Sequence, residues 1–510
     1  MLSGPASPWH RFARACGASV VALLLGACAA TPPEPPVKIA VPPAYASAAG
    51  GWTPVAPLTA MPAGSWWQVF GDPVLDGLEV QVAQHNQSLA AQLAAYDQAR
   101  AAIAQAQAAY FPTLSAGLAA TRSKSASAST SVALPGRIGN SVSASASASW
   151  EPDLWGKVRL QVQAGEATAA ASAATLRFTE LSLQGQLAQS YLQLRTVDAQ
   201  IRLAQSTVAA YGRALQLTEN RYKAGVDTAA DVAAARTQLL QAQTSLTDLG
   251  VTRAQLQNAV AVLVGKAPAD FNLPAVGTVP EVPRIPPGIP AQLLQRRPDL
   301  AAAQAQVAAA NAQIGVAQTA WFPNLTLSAQ AGSQATRLAD LFSAPSLFWS
   351  LGPTLAATLF DGGLRRAQLE SSRAAYRQTV ATYRQDVLTA LQQVEDNLAA
   401  QRILAQEAQQ QAEVVQAADV SLRLAENQYK VGTAPYLNVL TAQTTATSAR
   451  NAELTLRNRR YTAAVALIQA LGGGWGGAGQ PLSSRCLRCD AEAGCDRLET
   501  GRSVPIISTR

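Results

Sequence analysis

The feature that most constrains this chain is its longest uninterrupted helical pattern. From Gly156 to Lys223 no proline intervenes, and Ala, Gln and Leu dominate. At 1.5 Å per residue such a run is roughly 100 Å long. A compact domain has no room for that rod, so it must lie against others of its kind in a coiled coil or tube. The run closes with Leu217-Thr218-Glu219-Asn220-Arg221-Tyr222-Lys223-Ala224-Gly225-Val226 and gives way to a shorter helical pattern, Thr228 to Val264. Glycine just past a last helical turn is the expected left-handed cap, where a chain reverses. The stretch therefore reads as the tip of a helical hairpin.

The tip occurs twice. Leu424-Ala425-Glu426-Asn427-Gln428-Tyr429-Lys430-Val431-Gly432-Thr433 repeats it 207 positions later, after a second run from Asp361-Gly362-Gly363 to Lys430. Leu263-Val264-Gly265 and Ala470-Leu471-Gly472 keep the offset, and Tyr110-Phe111-Pro112 matches Trp321-Phe322-Pro323 at 211. A period near 200 residues is an internal duplication rather than a solenoid repeat. The expected plan is a first structural repeat over 65–265 and a second over 299–475. They are joined by a linker, 266–298, that holds eight prolines from Pro268 to Pro298.

Each repeat also contains a change of period. Helix is expected over Val74–Ala109 and again over Asp299–Ala320. After Pro112, Leu114, Ala116, Leu118 and Ala120 alternate with Thr113, Ser115, Gly117 and Ala119. Beyond a loop at about 122–139, Val142, Ala144, Ala146, Ala148 and Trp150 alternate with serines. Strands of about ten residues, with one apolar face, one small polar face and aromatic ends, suit a transmembrane β-hairpin. Asn324–Ala331 and Trp349–Leu359 supply the second pair, with a bend or bulge expected at Pro353. Four strands cannot close a barrel, and open edges are not tolerated in lipid. Three copies bring twelve strands, an even count that does close. The fold class read here is mainly α with a small transmembrane β part. It is a trimeric 12-stranded barrel continued by an α-helical barrel, with four strands and two long helical hairpins per chain. Ser and Thr would face a water-filled bore.

The amino terminus reads as an export signal. Arg11 and Arg14 precede an apolar core, Ala18 to Leu25, too short for a permanent span. Leu25-Gly26-Ala27-Cys28 resembles the lipobox of bacterial lipoproteins. That implies a signal peptide at 1–27, cleavage before Cys28, and a covalent lipid on its thiol and new amino group. With Ala at position 29, the usual sorting pattern points to the outer membrane. Residues 28–64, rich in Pro and Ala, form a tether, and 476–510 is read as a disordered tail. Its Cys486, Cys489 and Cys495 lack histidine partners for zinc, while a disulfide between two of them suits an oxidising periplasm.

Composition excludes other chemistry. Charged residues are only 14%, against about 25% in ordinary soluble domains. The formal charge of +7 is scattered rather than massed in a stripe, so nucleic acid is not an expected partner. The two histidines are His10, in the leader, and His85, which rules out a triad or a histidine zinc site. Met61 alone accompanies the initiator Met, so copper(I) has no thioether ladder. No enzyme, metal or cofactor is expected beyond the Cys28 lipid.

Taken together, these residues resemble the TolC-like outer-membrane factors, in their NodT-type lipoprotein branch. The lipobox, Trp66-Trp67 with Phe70 and Asp72-Pro73, Leu294-Gln295-Arg296-Arg297-Pro298-Asp299-Leu300, Trp321-Phe322-Pro323, Phe360-Asp361-Gly362-Gly363, both Tyr-Lys-x-Gly tips and Ala470-Leu471-Gly472-Gly473-Gly474-Trp475 carry the match. It covers about residues 20–475. The resemblance implies a homotrimer in outer-membrane lipid. It would act as the passive exit channel of a tripartite efflux pump, with a periplasmic adaptor and an inner-membrane transporter of the resistance–nodulation–division class. The adaptor would meet the tips at Arg221, Tyr222, Lys223, Gly225, Tyr429, Lys430 and Gly432. The resting gate would lie at Asp231, Arg236 and Leu437, with three Asp231 carboxylates forming a cation-focusing ring. Thr441 and Thr444 stand where relatives often carry Asp and Arg. The alternatives are an outer-membrane component of another export system, such as type I secretion, and a periplasm-spanning structural lipoprotein without a pore.

Overall fold

The computed structural model describes residues 65–124, 138–276, 280–283, 285 and 296–473. The leader, Cys28, the tether, the tip of the first strand loop, most of the proline-rich linker, Trp475 and the cysteine-bearing tail lie outside the described residues. The elements are α1 (Pro73–His85), α2 (Gln87–Ala108), β1 (Thr113–Lys124), β2 (Ile138–Trp150), α3 (Lys157–Lys223), α4 (Ala229–Leu263), α5 (Pro298–Thr319), β3 (Asn324–Ala335), β4 (Leu347–Ala356), α6 (Leu364–Lys430) and α7 (Tyr436–Ala470). The molecule is mostly helical with one small sheet. Both α3 and α6 have 67 residues, and both α4 and α7 have 35. Among the described residues no helix is long and apolar enough to cross a membrane.

Contacts divide the chain into two compact units. One contains Ala95–Ala173 and Ala302–Arg384, and with them the sheet. Its four strands run β1-β2-β3-β4, each antiparallel to the next. The register puts like beside like. Leu114 pairs with Ala148 and Leu118 with Ala144. Ala146 pairs with Ala331 and Ala148 with Ala329, and Ala329 and Ala331 meet Leu351 and Trp349. One face is thus apolar through the middle of the sheet. The other carries Ser115 opposite Ser147, Ser149 opposite Ser328, and Thr326 opposite Thr354. Because side chains alternate strictly along a strand, a one-residue slip would scramble both faces. Among the described residues, the outer edges of β1 and β4 have no neighbour.

Pro353 does not produce the expected bulge. It pairs with Leu327 in an unbroken register, because β4 is an edge strand within the chain and an edge tolerates a residue without an N–H. At the base of the sheet, the Trp155 ring stacks on Phe322 at 5.0 Å and donates its indole N–H to the Pro323 carbonyl at 2.6 Å. Trp150 donates to the Tyr110 carbonyl at 3.0 Å, and the Arg365 guanidinium lies over the Trp321 ring.

The other unit holds Ala174–Ala301, the chain from Gln385 on, and the start of the described chain to Ala94. Its core centres on Trp66, Leu75, Leu187, Leu192, Leu194, Tyr461 and Ile468. Trp66 reaches Gln184 at 3.2 Å. Asp72 caps α1 through Val74 and Leu75 and accepts the Tyr191 hydroxyl at 2.6 Å. A single helix over 74–109 is not formed. Asn86 interrupts it, accepting from the Leu89 N–H to start α2 and donating to the Leu263 carbonyl at 2.8 Å. An Asn side chain that can cap a new helix and close a distant carbonyl stabilises a break that hydrophobic period alone does not signal.

Candidate gating and docking tips

Both tips end as their glycines require. Gly225 has φ +71° and Gly432 has φ +82°. Val226 donates to the Arg221 carbonyl and Thr433 to the Gln428 carbonyl, each at 2.9 Å. These are the long-range bonds of a Schellman turn, which close carbonyls that a helix end leaves open. The restarts differ. At α4, Thr228 and Asp231 form a reciprocal capping box, with the Thr228 hydroxyl donating to Asp231 at 2.7 Å. At α7, Pro435 stands in that place and makes no side-chain cap.

The two tips meet through one polar joint. The Arg221 Nε lies 3.1 Å from both carboxylate oxygens of Asp227, and its guanidinium sits 4.5 Å from the centre of the Tyr429 ring. Its Nη1 also donates to the Tyr429 carbonyl at 3.3 Å. The Tyr429 hydroxyl donates to Asp227 and lies 3.2 Å from the Thr218 hydroxyl. Beneath it, Tyr429, Tyr436, Val439 and Ala235 pack together, with Leu215 and Leu217 against them. Burial, reinforced by Asp227 accepting its proton, pushes the Tyr429 hydroxyl up to about 12. Burial also raises Tyr436 to about 12. A cation over an aromatic face that is also ion-paired is worth more when partly desolvated.

Of the residues read as adaptor contacts, Tyr222, Lys223 and Lys430 are exposed, Arg221 is half-buried and Tyr429 is buried. Of the residues read as a gate, Asp231 is committed to its capping box, Arg236 is exposed, and Leu437 is 63% exposed on the first turn of α7. Thr444 accepts from Gln238 at 3.0 Å, which ties α4 to α7. Sequence reasoning missed Asp227, Thr218 and Tyr436. The available signal was an asymmetry: Asp227 has no counterpart in the second tip, where Ala434 stands.

The profile of the family described as outer membrane efflux protein matches residues 78–266 and 289–473. The chain belongs to that family. It is 33% identical over 465 residues to the toluene efflux pump outer membrane protein TtgC of Pseudomonas putida, covering 90% of this chain and 95% of that one. It is 34% identical over 467 residues to the pyoverdine export outer membrane protein OpmQ of Pseudomonas aeruginosa, covering 89% and 95%. The open-state MtrE outer membrane channel of Neisseria gonorrhoeae superposes with a TM-score of 0.76 at 27% identity, over 88% of this chain and 98% of that one. This efflux protein is accordingly an outer-membrane channel component of an efflux pump, in a family of conduits rather than enzymes.

Proposed function

We propose that this efflux protein works as a homotrimer, in which twelve strands close a barrel in the outer membrane and the helical hairpins line a duct beneath it. The observation that carries this reading is the amphipathic sheet. It has an apolar face for lipid, a Ser/Thr face for water, and two open edges, β1 and β4, that a hydrocarbon environment does not permit to stay unpaired. β1 of one copy and β4 of the next supply each other's missing neighbour. The duplicated plan is supported by the 207-residue offset and by the equal lengths of α3 and α6 and of α4 and α7.

In this reading Cys28 carries the lipid anchor and the tips dock a periplasmic adaptor that couples the duct to an inner-membrane transporter. Leu437 and Asp231 narrow the resting aperture. The cargo class is small organic molecules, since relatives serve toluene and pyoverdine export. Purified protein in a planar bilayer tests the duct: Leu437→Ala with Asp231→Ala is expected to raise single-channel conductance several-fold. A protein that is monomeric in detergent and never conducts would overturn it. Mass spectrometry of the mature chain, with Cys28→Ser as comparison, tests the anchor.

A further inference from the structure

The loop between β3 and β4, residues 336–346, lies at the end of the sheet where no helix joins a strand. The two strands are paired as far as Ser333 and Leu347. Ser333 alternates with Ala329 and Ala331 and so shares their apolar face, between Ala144 of β2 and Leu347 of β4. On that face its hydroxyl donates to the Leu341 carbonyl, and both residues are buried. The loop is therefore folded back over the apolar face. Its own polar groups are largely closed. The Asp340 carbonyl accepts from the Ser343 amide at 3.1 Å and from the Ser343 and Ser346 hydroxyls at 2.7 and 2.8 Å. The Asp340, Leu341 and Ser346 amides donate to the carbonyls of Arg337, Leu338 and Ser343. Apolar side chains are nonetheless left uncovered: Leu338 is 70% exposed and Phe342 is 84% exposed.

We propose that this loop is an interfacial flap, which lies on the outer wall of the barrel and dips Leu338 and Phe342 into the acyl chains of the outer leaflet. This rests on the barrel reading above, in which the apolar face meets lipid and the helices lie on the periplasmic side. Three features name acyl chains as the occupant. Leu338 and Phe342 belong to the loop that enters the exposed apolar row Leu347, Trp349 and Leu351 of the lipid face. A serine hydroxyl on a lipid face is costly unless it is bonded, and here the loop covers it with a carbonyl that the hydroxyl satisfies in turn. Irregular backbone does not sit in hydrocarbon itself, but it can lie at the headgroup boundary with its apolar side chains beneath it. Turns and two serines that close its carbonyls lower the cost of that approach. Arg337 and Asp340, both exposed, then belong to the headgroup layer. A loop that reached into water would need none of these devices.

Fluorescence quenching in the full-length protein, reconstituted in phosphatidylcholine vesicles, tests the flap. Cys486, Cys489 and Cys495 are replaced by Ser, and that parent serves as the labelling blank. A nitrobenzoxadiazole label is placed at Phe342→Cys, at Leu338→Cys, or at Leu351→Cys on the middle of the apolar face. The two loop sites are expected to dim about twofold with a nitroxide lipid labelled near its headgroup, and less with one labelled deep in the chain. Iodide on both sides of the vesicle is expected to leave them nearly unchanged. Strong iodide quenching without nitroxide quenching puts the loop in water and overturns the proposal. Quenching by neither means that protein covers the loop, a second copy above all, and overturns it too. Leu351 tells two failures apart. If nitroxide lipids reach Leu351 but not the loop, the flap alone fails; if they miss Leu351 as well, the barrel reading fails with it.

Discussion

The two tips share a turn and differ in what the turn holds. Gly225 and Gly432 adopt the same left-handed conformation, and both turns close with the same pair of backbone bonds. Around the first, Arg221, Asp227 and Thr218 form a polar socket, and around the second, Tyr429 and Tyr436 supply what fills it. Two stretches of like sequence thus play unlike parts, one the knob and one the slot. A few substitutions, Arg for Gln and Asp for Ala, decide which side of the joint a tip plays. The lesson is that a repeated motif fixes geometry, while its unrepeated neighbours fix strength.

The largest expected effect comes from emptying the slot. Tyr429→Ala is predicted to loosen the tips by about 3 kcal/mol, as truncating a buried aromatic does, read as faster amide exchange around 214–232 and 425–440. Tyr222→Ala, at a half-exposed ring, is predicted to cost about 0.5 kcal/mol or less by the same measurement. Equal losses would erase the distinction. The same joint is alkali-sensitive. A tyrosine whose folded value is raised contributes stability that is complete below the free value near 10 and is lost as pH rises through the folded value. Amide protection at the tips should therefore fall between pH 10 and about 12, the value to which Tyr429 and Tyr436 are raised.

Removing the carboxylate comes next. Asp227→Ala leaves Arg221 and the Tyr429 hydroxyl without their shared acceptor and is expected to cost about 2 kcal/mol by the same exchange measurement. Gly225→Ala and Gly432→Ala should each cost about 1 kcal/mol and to similar degree, because the left-handed penalty is a backbone property. A large inequality would show that the turns are not equivalent after all. Smallest of all, Lys223→Ala and Lys430→Ala should leave tip stability within about 0.5 kcal/mol, measured by thermal unfolding, while weakening adaptor binding by pull-down.

Much of this was readable from the residues. Long proline-free runs, Gly225 and Gly432 as caps, and the alternation of Ser with Ala on β2 each express a local preference repeated often enough to dominate. The break at Asn86 and the unbroken pairing of β4 through Pro353 were not readable. The first depends on the Leu263 carbonyl, 177 positions away, and the second on whether the strand has a neighbour on its far side. That Asp231, read from resemblance as a gate residue, also closes a capping box with Thr228 three residues before it was missed as well.

The sequence by itself determined the long helices, the strand pairs, the 207-residue offset and the family resemblance, because period, caps and motifs are written along the chain. Only the tertiary structure decided that Tyr429 is buried and Tyr222 is not, and that Asp227, unremarkable in its turn, completes the joint. Burial and pairing depend on which distant residues arrive at the same place, and two near-identical stretches cannot announce from within themselves which of them will find a partner inside the chain.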